Sequence, residues 1–248
     1  MAWVASKPGT DYGRNAAFTS TTADQSVVRA FLARVYTFMA LGLGVTGVVA
    51  LAMAASPDAM AFVFGGRWVL MGLIGAELLL VFAFAPVAAR ASAGVATLML
   101  LAYSVLNGVT MASIFLIYTR GSIGSTFLIT GGMFGALAAY GTVTKRDLSS
   151  LGSFAMMGLV GLVIASVVNL FLGSPMLYWL TTFVGVIVFT GLTIYDTAKL
   201  KTIAALAAGQ GKQAETKLAL QGALSLYLDF INLFLMLLRL FGGGRRRD

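Results

Sequence analysis

The sequence predicts an all-α, polytopic membrane protein with seven transmembrane helices, on three observations. Hydrophobic types make up 59% of the 248 residues and charged types only 10%, against roughly 25% charged in a soluble domain. Uncharged runs exceed the ~20 residues needed to cross hydrocarbon. They are also too continuous for alternating barrel strands, and backbone polar groups in lipid must pair within their own segment, which leaves helices. The mean hydropathy of +0.91 agrees.

Charge boundaries mark the spans in order. The first covers residues 35–54 and ends at Ser56-Pro57-Asp58. The second covers 68–89 and carries Glu77 and Pro86; the third lies between Arg90 and Arg120. The fourth covers 121–144 and is closed by Lys145-Arg146-Asp147. The uncharged stretch 148–195 is too long for one span, and Gly173-Ser174-Pro175 divides it into 151–172 and 176–197. A polar connector, 199–217, leads to the seventh span, 218–241. In domain terms, residues 1–34 read as a disordered cytoplasmic tail, 35–241 as the membrane domain and 242–248 as a short basic tail. Glycines inside the spans, Gly42, Gly44 and Gly47 in the first and Gly131, Gly132 and Gly135 in the fourth, read as points of close helix approach.

Composition also excludes functions. The chain holds no cysteine and no histidine, so thiol chemistry, disulfides and imidazole-based metal sites or pH switches are ruled out. The net charge of +8 does not point to nucleic acid, because the basic residues flank apolar spans rather than forming a compact basic domain. They act instead as topology signals. Eleven Lys and Arg residues fall on the N-terminal side and in the even-numbered loops. Five fall opposite, with Arg239 at the last helix end left out. The N-terminus is therefore predicted cytoplasmic. The triplet Arg245-Arg246-Arg247 pulls the other way and would suit a last helix that re-enters rather than crosses.

Ionisable groups within spans are costly and mark functional candidates. Three acids qualify: Glu77, Asp196 and Asp229. Asp229 lies near the middle of the last span. Gln221, Ser225, Asp229 and Asn232 follow at spacings of four, four and three, which puts them on one helical face. Such a stripe either faces a polar path or glues helices together. Thr190, Thr193, Asp196 and Thr197 form a similar run near the cytoplasmic end of the sixth span. An Asp at a helix C-terminus opposes the macrodipole, so a nearby cation is expected, with Arg90 first and Lys145 or Arg146 as alternatives. Two carboxylates on consecutive helices would titrate as a unit, and together with Asn232 or carbonyl oxygens they could hold a weak, transient calcium ion. Glu77 either lines the same cavity or bonds a neighbouring helix.

Residues 223–242 (ALSLYLDFINLFLMLLRLFG) are similar to the C-terminal hallmark of the Bax inhibitor-1 family. Residues 185–201 (GVIVFTGLTIYDTAKLK) resemble its sixth-helix motif, and 144–149 (TKRDLS) and 91–95 (ASAGV) fit the bacterial inner-membrane branch. The resemblance implies seven helices with the last one central. It also implies a pH-sensitive calcium leak gated by an aspartate pair, which matches Asp196 and Asp229, with a latch arginine matching Arg90. No cofactor is implied. The partners implied are the lipid bilayer, calcium or another cation and, for some bacterial relatives, a membrane-bound AAA protease that they modulate. Asn232, Ser225, Gln221, Thr193 and Glu77 then become candidates for lining the cation path.

Two readings compete with the leak. One is a non-conducting regulatory or binding protein whose polar stripe serves packing. The other is an intramembrane aspartyl protease, suggested by Tyr195-Asp196. It is disfavoured because Asp229 follows Tyr227-Leu228 rather than a Gly-x-Gly-Asp turn.

Overall fold

A computed structural model describes residues 12–244, with side chains from Gln25 onward. Nine helices account for nearly all of them: α1 (Tyr12–Ala54), α2 (Pro57–Gly65), α3 (Arg67–Arg90), α4 (Ala93–Met111), α5 (Ile114–Ile117), α6 (Arg120–Val143), α7 (Ser149–Leu172), α8 (Pro175–Ala207) and α9 (Lys212–Phe241). Seven stretches among them are long and apolar enough to cross a membrane. The third joins α4 to the single turn α5, and α2 is a short surface helix between the first two spans.

Local chemistry sets the breaks. Ser56 caps α2, its Oγ accepting from Ala59 N at 3.3 Å, and Pro57 opens that helix, where its missing N–H costs nothing. Gly173 ends α7 in the left-handed region, φ 58°, a conformation glycine adopts without a Cβ penalty. Ser174 then caps α8, whose first residue is Pro175. Ser92 and Thr119 cap α4 and α6 in the same way.

α9 occupies the centre. Of its most apolar window, 56% is buried, against 6% for α3 and 11% for α7. It packs against α1, α3, α4, α6 and α8, while α7 leans mainly on α8. The main core gathers Phe31, Val35, Phe84, Leu100, Tyr103 and Phe134 around Leu220, Tyr227 and Phe230 of α9. A second cluster joins Leu162 of α7 and Val188 and Leu192 of α8 to Leu233 and Leu237 of α9. The large apolar residues exposed on α3 and α7, such as Phe82 and Phe171, suit lipid contact rather than water.

Several sequence expectations are corrected. The tail does not extend to residue 34: α1 is already helical upstream, and Phe31 and Leu32 lie in the core with Val35. The apolar spacing Val28, Phe31, Leu32, Val35 is helical, but Arg29 and Arg34 obscured it when charges were used as boundaries. Residues 1–11 of that tail and 245–248 of the basic tail lie outside the described residues. The long connector also shrinks. α8 runs on to Ala207, through alanines, leucines and lysines that favour helix, and only residues 208–211 are non-helical, with Gly209 and Gly211 at φ 85° and 87°.

The glycines change roles too. A Cβ on Gly44, Gly47, Gly131, Gly132 or Gly135 would meet nothing within 4 Å, so of the six singled out only Gly42 abuts a neighbour, Tyr227 with Ser104. Residue type does not reveal which face of the helix a glycine occupies. Close approaches also lie elsewhere, among them Gly108 of α4 against Thr46 and Val49 of α1 and Gly141 of α6 against Ile194 and Thr197 of α8.

Finally, α9 runs from one end of the bundle to the other rather than turning back. Gly243 N donates to Ser122 Oγ at 2.9 Å and Gly244 bridges Tyr118, at the start of α6. At the opposite end of the bundle, Lys217 Nζ donates to Ala89 O at 3.0 Å and to Ala91 O at 3.2 Å, closing the C-terminus of α3. Arg34 pairs there with Glu215 at 3.6 Å; both are substantially exposed, so the pair contributes little to stability.

Candidate functional site

Asp196 on α8 and Asp229 on α9 lie where these two helices pack together. Ser225 Oγ of α9 donates to Asp196 Oδ2 at 2.5 Å. Asp229 follows Ser225 by one helical turn, about 6 Å further along the axis, and the two carboxyls are within electrostatic range of each other. Asp229 is 5% exposed, and its Oδ2 has no hydrogen-bond partner among the described residues. Thr197 Oγ1, on α8, is buried and unpartnered as well. Buried polar atoms are normally paired, and a carboxyl oxygen without a partner is expensive.

Asp196 has a different exposure. It is half-buried and lines an open groove of about 770 Å³ between α7 and α8, together with Ser225, Tyr195, Lys199 and Gly152. The groove stops short of Asp229. Phe127, Phe134, Phe230 and Phe234 stack edge-on around the next turns of α9, with ring centroids 5.3 to 6.0 Å apart. In this conformation the inner carboxyl is sealed from the groove.

The other candidates divide. Thr193 is fully buried but donates to Phe189 O of its own helix at 2.7 Å. Asn232 likewise donates to Leu228 O at 2.8 Å. Gln221 is half-buried on α9, and none of these three lines the groove. Arg90 is exposed at the end of α3 and makes no ion pair among the described residues. The cation that acts on Asp196 is Lys199, one turn along α8. The macrodipole argument for Arg90 fails because α8 continues eleven residues past Asp196.

Glu77 belongs to a second polar cluster on the far side of α9. Its carboxylate accepts from Thr110 Oγ1 at 2.8 Å and has Asn107 within reach. Asn107 Oδ1 accepts from Tyr227 OH at 3.0 Å. Tyr227 OH lies 2.6 Å from Thr46 Oγ1, which also donates to Ser104 O at 3.0 Å. This chain ties α3, α4, α9 and α1 together. Tyr227 is completely buried at its centre. The sequence signal is faint: Ser104, Asn107 and Thr110 share α4, but Glu77, Tyr227 and Thr46 each come from a different helix. A mid-span Asn and Tyr are the residues that would have revealed it.

The family model described as "Inhibitor of apoptosis-promoting Bax1" matches residues 28–247. The chain is 48% identical over 225 residues to the inner membrane protein YbhL of Escherichia coli, covering 88% of this chain and 93% of that one. An uncharacterized protein of Borreliella burgdorferi is 42% identical over 218 residues, covering 88% and 93%. The uncharacterized protein RP147 of Rickettsia prowazekii is 39% identical over 243 residues, covering 96% and 99%. With a family match over nearly the whole helical bundle, the chain belongs to the Bax inhibitor-1 family.

Proposed function

We propose that the protein is a pH-sensitive cation leak of the bacterial inner membrane, with calcium as its cargo and Asp196 and Asp229 as its gate. One observation carries the reading: a sealed, partnerless carboxyl oxygen on Asp229 sits one helical turn behind a groove that ends on Asp196 and Ser225. Two negative charges in that apolar setting are costly. At low pH a shared proton relieves the cost and the helices stay closed. As pH rises the pair must either separate or take a cation. Calcium accepts several oxygens in flexible geometry, and the carboxylates, Ser225 Oγ and water supply them.

Lys199 stands at the groove beside Asp196 and would have to yield to an entering cation. Arg90 lies at the same end of the bundle, and a latch role for it calls for a conformation other than this one. The Lys and Arg distribution supports a cytoplasmic N-terminus, so the groove opens toward the cytoplasmic side.

Calcium-loaded liposomes test the reading. Efflux is expected to rise several-fold between about pH 5 and pH 8, following the ionisation of the pair. Efflux no greater than from protein-free liposomes across that range would overturn it. The protein would then be a non-conducting regulator, such as a modulator of a membrane AAA protease, with the aspartates serving helix packing.

A further inference from the structure

The loop between α6 and α7 and the C-terminal part of α8 line an open hollow of about 530 Å³. It lies at the end of the bundle that also carries Arg34 and Lys217. Four cationic side chains line it: Lys145 and Arg146 from the loop, Lys199 and Lys201 from α8. Among the described residues no carboxylate lies within 4.0 Å of any of them, since Arg34 with Glu215 is the pair formed there. The one acid in the wall, Asp147, is turned back on its own loop. Its Oδ1 accepts from Ser149 N at 2.9 Å and from Ser149 Oγ at 2.6 Å, and these bonds hold the carboxyl below the usual carboxylate range.

The cavity is built rather than incidental. Lys201 Nζ donates to Thr144 O at 2.7 Å, anchoring the end of α6 to α8 and leaving two ammonium hydrogens free. Lys199 Nζ lies over the Tyr195 ring, 5.9 Å from its centre, at the wall of the hollow. The Asp147 carboxylate already occupies the first amide of α7, Ser149 N, so the charge open to a ligand is that of the four cations. Lys199 also feels Asp196, while Lys145, Arg146 and Lys201 form no ion pair among the described residues; their mutual repulsion is relieved by an anion. Directly along α7, Phe154, Met156 and Met157 present an exposed apolar surface. A phosphate joined to apolar chains matches both parts at once, and basic pockets between spans at a membrane surface bind such headgroups.

We propose that this cavity binds the phosphate of an anionic phospholipid, with the acyl chains lying along the outer face of α7. The site shares Lys199 and Tyr195 with the groove at Asp196 but does not rest on the leak reading. The test titrates purified full-length protein in neutral detergent with dioleoylphosphatidylglycerol, dioleoylphosphatidylcholine or inorganic phosphate, reading retained lipid by native mass spectrometry and melting temperature by thermal shift. The anionic lipid is expected to be retained and to raise the melting temperature; the zwitterionic lipid and free phosphate are not. The double variant Lys145→Gln/Arg146→Gln is expected to bind the anionic lipid roughly 30-fold more weakly. Lys199→Gln, a second variant should the first fold poorly, is expected to bind it roughly fivefold more weakly. Lys212→Gln, outside the cavity, should bind as the wild type does. Equal retention by wild type and either cavity variant would overturn the proposal. So would a full thermal shift with inorganic phosphate alone, which would make free phosphate the ligand.

Discussion

Asp229→Asn is expected to flatten the pH dependence of calcium efflux and to lower flux at alkaline pH by roughly 30-fold or more. Asparagine has the size and neutrality of a protonated aspartic acid, so it imitates the closed, proton-holding state at every pH. Only one carboxylate, Asp196, is then left to attract a cation, and it already has Ser225 as a donor and Lys199 beside it. The buried position retains a neutral polar group of similar shape, so thermal stability in detergent should move by less than about 1 kcal/mol. Flux and melting are therefore expected to separate. A variant that melts like the wild type but has lost its pH response assigns Asp229 to the gate. If flux and its pH profile remain unchanged, the carboxyl belongs to packing alone.

The largest stability effect is expected at Gly108→Val. A Cβ on Gly108 would lie 2.7 Å from Val49 Cβ and 2.8 Å from the Thr46 carbonyl oxygen. The oxygen is backbone and cannot swing aside, so α1 and α4 must separate. Separation also stretches the bonds that Thr46 makes to Tyr227 and to Ser104 O, and with them the tie between α9 and its two neighbours. The combined cost is put at about 3 kcal/mol, the upper part of the range for overpacking a tight site. The matched control is Gly131→Val on α6, where an added Cβ meets nothing within 4 Å; it should change stability by less than about 0.5 kcal/mol. Thermal melts in detergent, ranked against wild type, check both. Equal losses at the two positions would show that helix propensity, rather than the α1–α4 contact, sets the cost.

The spans were legible because their ends carry strong local chemistry. Ser56-Pro57 and Gly173-Ser174-Pro175 use capping and backbone rules that act within a few residues. The aspartate pair was legible for a related reason. A carboxyl in a membrane span is rare and costly, so Asp196 and Asp229 stood out against an apolar background. Positions decided by partners on other helices were not legible. Arg29 and Arg34 looked like a membrane boundary, yet the helix passes through them with Phe31 and Leu32 in the core. The extension of α8 to Ala207 turned Asp196 from a helix-end residue into an interior one, and the nearest cation became Lys199 rather than Arg90. The glycines on α1 and α6 show the same limit, since composition marks a small residue but not the face it occupies. Tyr227 shows it most clearly: its role comes from Thr46 and Asn107, 181 and 120 residues away along the chain.

The coupling between the two carboxyls can be measured directly. Protein carrying 13C at its aspartate side-chain carboxyls, reconstituted in nanodiscs, is titrated by NMR in the wild type and in Asp196→Asn. If the two groups share one proton-holding site, the Asp229 resonance titrates over a different pH range once Asp196 is neutral, and calcium shifts it in the wild type but not in the variant. An Asp229 titration curve that is the same in both proteins and indifferent to calcium would contradict a gate built from the pair.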